Sequence, residues 1–227
     1  MKRRPLYASI LVGLVFSMII GCTGNDQKRN GRLSDAFGKL EELDLFFEST
    51  IKLSSERKLL EASNHIDQAI SYIYGLKVPG DTIHKELIEY LTEDLRDLSD
   101  GLISGGVISE NSLRRTFESI SRSLASYHLS IAEAYYLEGG ENREGLDHLM
   151  LALTRANKSA FYHGYTIPEE DLQETRELFK VLRKSDKSSP QVWKRTNAII
   201  KKLNKSLKAH RKKNTEAYLL PVPGVDE

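Results

Sequence analysis

The stretch SENSLRRTFESISRSLASYHLSIAEAYYLEGG, residues 109–140, decides the fold. Its apolar residues Leu113, Phe117, Ile120, Leu124, Tyr127, Ile131 and Tyr135 recur at intervals of three and four. That spacing lines them along one face of an α-helix, and no period-2 alternation of a half-buried strand accompanies it. Ser109 offers a side-chain oxygen to the unpaired N–H groups of the first turn. Gly139-Gly140 supplies the residue type that leaves a helix. Residues 141–163 repeat the pattern through Leu146, Leu149, Leu153, Ala156 and Ala160, with Gly164 as the stop. Two amphipathic helices joined by so short a connection pack side by side and antiparallel.

The same signals extend in both directions. Upstream, Lys77-Val78-Pro79-Gly80 is a break. Asp81 or Thr82 then opens a helix carrying Ile83, Leu87, Leu91, Leu95, Leu98 and Leu102, closed by Gly105-Gly106. Before the break, Ser34 is placed to cap a helix with Leu40, Leu43, Phe47 and Ile51 on one face. Ser54-Ser55 weakens the pattern before Leu59, Ala62, Ile66, Ala69, Ile70 and Ile73 resume it, so residues 34–76 form one long helix or two. Downstream, Thr166-Ile167-Pro168-Glu169-Glu170 puts proline and acids at a helix start, ahead of Leu172, Leu178, Phe179 and Leu182. Ser189-Pro190 opens the last helix, whose apolar line is Val192, Thr196, Ile199, Leu203 and Leu207. Residues 214–227, with two prolines among Leu219-Leu220-Pro221-Val222-Pro223, are expected to be an extended tail. The expectation is an all-α domain over residues 34–213, an antiparallel helical bundle or helical-hairpin array of about six to seven helices.

The N-terminus carries a different message. Met1-Lys2-Arg3-Arg4 is a compact positive start, and residues 6–20 are uncharged and dominated by Ile, Leu, Val, Phe and Met. That is the layout of a secretory signal over residues 1–21, and it falls short of the roughly 20 apolar residues that span a bilayer. It ends in Ile19-Ile20-Gly21-Cys22, which resembles a bacterial lipobox. The resemblance implies diacylglycerol on the Cys22 sulfur, cleavage before it, and an N-acyl chain such as palmitate on the new terminus. It implies an extracytoplasmic, membrane-anchored lipoprotein of the cell envelope. Thr23 stands where Asp favours inner-membrane retention, so the outer membrane is expected in a Gram-negative host. Cys22 is the only cysteine, which excludes intramolecular disulfides. Residues 22–33 are polar without apolar periodicity and are read as a tether. No other cofactor and no metal is expected.

Charge is unevenly distributed. The signal holds three of the 33 basic residues, leaving 30 against 32 acidic, a net of −2. Residues 191–213 contain nine Lys or Arg and no acid, while residues 22–190 hold 21 basic against 29 acidic, a net of −8. Lys194, Arg195, Lys201, Lys202, Lys205, Lys208, Arg211 and Lys212 are therefore candidates for an anionic surface: lipid head groups, lipopolysaccharide or an acidic partner. A solvated helix packed on an acidic body is the plainer account. Nucleic acid is not expected outside the cytoplasm.

A second candidate site lies on the opening hairpin. His128 and His148 fall about 17 and 13 Å from its turn at 1.5 Å per residue, so they can share a level. Tyr127, Tyr135 and Tyr162 accompany them, and with the histidines they form a candidate small-ligand, metal or haem site. Core packing of an aromatic stripe is the plainer account here too. Leu129, Ala132, Tyr136, Gly145, Leu149 and Ala152 loosely resemble one tetratricopeptide unit of about 34 residues, without a second copy and with Glu133 where a small residue is usual. No nucleophile elbow, phosphate loop or His-Glu-x-x-His zinc helix is present, so no catalytic residues are expected. The reading is a lipid-anchored, non-enzymatic binding or scaffold protein with an envelope protein partner.

Overall fold

Several helix boundaries follow from local chemistry. The computed structural model describes residues 42–76, 82–106, 108–137, 143–184 and 189–218, which fall within one unit, Ala36–Glu227. Among them the architecture is all-α, with seven helices and no strand. These are α1 (42–55), α2 (Leu59–Tyr74), α3 (Thr82–Ile103), α4 (Glu110–Leu137), α5 (Arg143–His163), α6 (Glu169–Lys184) and α7 (Pro190–Tyr218). The signal, Cys22, the tether, the Ser34 cap, the break at residues 77–80 and Gly139-Gly140 lie outside the described residues.

The stretch left open between one helix and two is two. The Ser55 hydroxyl donates to the Lys52 carbonyl at 2.6 Å, competing with the backbone for an acceptor. Arg57 turns left-handed, at φ 61°, and the Lys58 N–H closes back onto the Leu53 carbonyl at 2.9 Å. Glycine makes the equivalent exits from α3 and α5, where Gly105 and Gly164 have φ of 75° and 72°. Ser109 and Ser189 accept from the N–H groups of Ser112 and Val192 at 3.1 and 3.3 Å, so both expected caps are formed. One boundary differs: α7 continues to Tyr218, five residues into the segment expected to be extended. Asn214 to Tyr218 contain no helix breaker, and the first proline comes only at residue 221.

Packing follows two antiparallel hairpins. In the first, α2 and α3 bury Ile66, Ala69 and Ile73 against Leu91, Leu95 and Leu102. The Ser63 and Ser99 hydroxyls meet at 2.8 Å inside it. Leu43 and Phe47 of α1 and the first half of α4, Leu113 to Leu124, complete this core. In the second hairpin α4 lies along α5, and α6 and α7 close the far side. Residues 149–156 of α5 are buried without interruption, so this helix is surrounded on all sides. The hairpin runs from Glu110 to His163, much longer than the tetratricopeptide unit it loosely resembles.

Candidate functional site

The hairpin brings His128 and His148 together. Their Nδ1 atoms are 3.1 Å apart across the α4–α5 seam, with His128 almost fully buried and His148 half-buried. Tyr135 stacks on His148 with ring centroids 6.0 Å apart, and Tyr127 stands edge-on to His128 at 5.1 Å. The Tyr127 hydroxyl is engaged elsewhere, donating to the Leu76 carbonyl at 2.5 Å. Four of the five residues expected at this site thus meet. Tyr162 does not: it lies 14 residues further along α5, about 21 Å away at 1.5 Å per residue.

The imidazole centroids are 5.3 Å apart, so the two nitrogens face each other nearly head-on along the line of centres. One Nδ1 must donate while the other accepts, a single proton lying between them. An ion held at the Zn–N distance of about 2.0–2.1 Å would sit off that line, and both rings would have to turn to meet it. Among the described residues no three His, Cys, Asp or Glu side chains converge to hold a metal ion.

Tyr162 belongs instead to a buried polar cluster that the sequence reading missed. Arg155 is fully buried and donates to Asp44 Oδ1 at 2.8 Å, across 111 residues of sequence. Lys158 approaches Asp44 Oδ2 at 3.3 Å and Glu48 at 3.4 Å. The Tyr162 hydroxyl reaches Asp44 Oδ1 at 3.5 Å. Burial first, and then the nearby Asp44 and Glu48 carboxylates, push the Tyr162 phenol well above its ordinary range and keep it protonated. Its ring meets Phe47 and Phe117, themselves stacked at 4.1 Å, edge-on from 5.9 Å. One turn on, Ser159 donates to the fully buried Glu118 at 3.3 Å, and Arg122 and His163 flank that carboxylate. Burial first, and then His210, Arg115 and Arg122, hold the His163 pKa below 6.5. The sequence signal was present, since Arg155, Lys158, Ser159 and Tyr162 share one helical face inside an apolar run. Chemically the cluster neutralises its own charge, two carboxylates against two cations at Asp44 and Glu48.

An open groove of about 510 Å³ lies beside α1 and α2, lined by Glu42, Phe46, Asp67, Gln68, Ser71 and Tyr72. It includes none of the residues singled out from sequence.

The basic helix α7 divides into two rows. Lys194, Arg195, Lys201, Lys202, Lys205 and Lys208 are all exposed, while the side chains of Arg211 and Lys212 lie outside the described residues. Lys202 pairs with the buried Asp171 of α6, whose hydrogen bond raises the lysine pKa. Arg195, seven residues earlier on the same face, acts on Glu177 of α6 and helps hold that carboxyl low, after the larger effect of Lys180. Lys194, Lys201, Lys205 and Lys208 form the other row. At about 100° per residue they fall within about 60° of arc, opposite the buried row Thr196, Ile199, Leu203 and Leu207.

The chain matches no protein-family model, no curated protein and no solved structure. Among the described residues no helix is long and apolar enough to cross a membrane.

Proposed function

We propose that the chain is a lipoprotein of the bacterial cell envelope, anchored through acylated Cys22, whose helical domain is a non-enzymatic binding or scaffold module. The observation that carries the anchor is the sequence Ile19-Ile20-Gly21-Cys22 behind a charged start and an apolar run. Thr23 favours the outer membrane where the host has one. Support for a preorganised module comes from the buried Asp44–Arg155–Lys158 cluster, which ties α1 to α5 across the core.

Intact mass of the membrane-extracted protein beside a Cys22→Ser variant, with fractionation of both, tests the anchor. The expected wild-type mass begins at Cys22 and includes acyl chains that the variant lacks. An unmodified wild type that fractionates like the variant overturns it. Cross-linking in intact envelopes tests the module: recovery of lipid-processing and sorting machinery alone counts against an envelope partner.

A second reading rests on the 3.1 Å contact between His128 and His148: a small-ligand, metal or haem site with Tyr127 and Tyr135 beside it. Absorbance and metal analysis of the purified protein separate the two readings. A colourless, metal-free protein removes the metal and haem versions.

A further inference from the structure

Two rows of cations on one helix face different surroundings, and among the described residues only the inner row has an acidic partner. Lys202 pairs with Asp171 of α6, and Arg195, seven residues earlier, lies on the same face of α7. The outer row, Lys194, Lys201, Lys205 and Lys208, is exposed along its length and stands directly opposite the helix's buried face. It spans about 21 Å along one helix axis. Lysines that merely balanced the acidic body would face inward with the first row.

We propose that this outer row is a docking surface for the anionic phospholipid head groups of the bilayer that carries the chain, so that the domain rests with α7 against the membrane. The proposal rests on the anchored reading given above, because an anchored domain meets its bilayer at high effective concentration and a modest attraction is then enough.

Three observations select lipid over an acidic protein. The row is lysine throughout, and lysine is depleted at protein interfaces, where aromatic residues, Met and Arg provide the buried anchors. The other exposed residues in or beside the row are Pro190, Gln191, Ala198 and Ala209, which offer no such anchor. A hydrated ammonium on a flexible stem needs no fixed partner geometry, which suits mobile head groups better than a docked protein surface. Charge then sets the orientation. Residues 191–213 carry nine cations and no acid, and residues 22–190 carry a net of −8, so an anionic bilayer attracts α7 and repels the rest.

The test uses the full chain in vesicles of phosphatidylcholine alone and of phosphatidylcholine with phosphatidylglycerol. Acetylation rates of individual lysines are read by mass spectrometry. Lys194, Lys201, Lys205 and Lys208 are expected to react about fivefold more slowly on the anionic vesicles, the factor that one cation near an anionic leaflet supplies. The exposed Lys52 and Lys85, on α1 and α3, react equally on both. Molar salt, which shortens the screening length to about 3 Å, removes the difference. The double variant Lys201→Glu with Lys205→Glu loses the protection at Lys194 and Lys208.

Equal rates on both vesicles overturn the proposal. So does protection found in native envelopes but absent from anionic vesicles, which marks an acidic protein as the occupant. Flotation of the wild type with neutral vesicles, compared with Cys22→Ser, reads the anchor separately. A chain that fails that comparison but still shows row protection on anionic vesicles loses the anchor reading and keeps the surface.

Discussion

Asp44 holds together two cations that the core cannot tolerate alone. Asp44→Asn removes the buried carboxylate that the fully buried Arg155 shares with Lys158, and the expected loss is about 3–5 kcal/mol in urea unfolding. Glu48→Gln touches the same network from a side chain that is 49% exposed, and its expected cost is at most about 1 kcal/mol. Similar losses from the two substitutions would mean that water reaches the cluster. His163 gives the molecule an acid-side weakness. Its folded-state pKa lies below the ordinary 6.5, chiefly through burial, so below about pH 6.5 the unfolded chain takes up a proton first. Stability therefore falls as pH drops from 6.5 to the depressed folded value, and is retained in full above 6.5. His163→Gln is expected to flatten that part of the stability curve, measured as the difference between the two proteins' urea midpoints from pH 7.5 to pH 5.

At the scale of elements, α4 and α5 share a seam of small side chains. His148 and Ser159 both face α4, and Ala152 lies within about 40° of them on the helix, with Ser121 and Ala125 buried on α4. Small residues let the two backbones approach closely and leave no space for a larger one. Ala152→Leu is expected to cost about 1–3 kcal/mol by overpacking, measured by thermal unfolding. A neutral result would mean the seam has slack. The seam also shows what sequence could reveal of these elements. Helix limits at Ser109, Gly105, Gly164 and Ser189 were legible because a cap or a left-handed exit depends on residues within one turn. The level of His128 against His148 was legible because a short connection sets the register. The full burial of residues 149–156 was not, since Thr154 and Arg155 read as a solvent face when only one neighbouring helix is considered. The continuation of α7 to Tyr218 was not legible, because prolines at 221 and 223 mark only where a helix must already have ended.

Across the whole molecule, α4 is the element that belongs to both halves. Its first half packs with α1, α2 and α3, and its length continues along α5. Amide exchange is therefore expected to be slowest in α4 and α5 and faster in α6, which packs on α5 and α7 alone among the described helices. Exchange in α6 as slow as in α5 would show a more uniform fold. The candidate sites divide in the same way. The Tyr/His contact joins neighbours in sequence and could be anticipated, whereas Asp44 and Arg155 are joined only by the closure of the whole chain. The two rows of α7 were also beyond sequence, because their separation depends on where α6 lies. Those rows have a consequence in bulk solution. With nine cations and no acid over residues 191–213, against a net of −8 over residues 22–190, the charge is strongly asymmetric although the net charge is small. The chain from Cys22 onward is expected to be retained at neutral pH by both cation- and anion-exchange resins, a behaviour that its overall charge of −2 would never suggest.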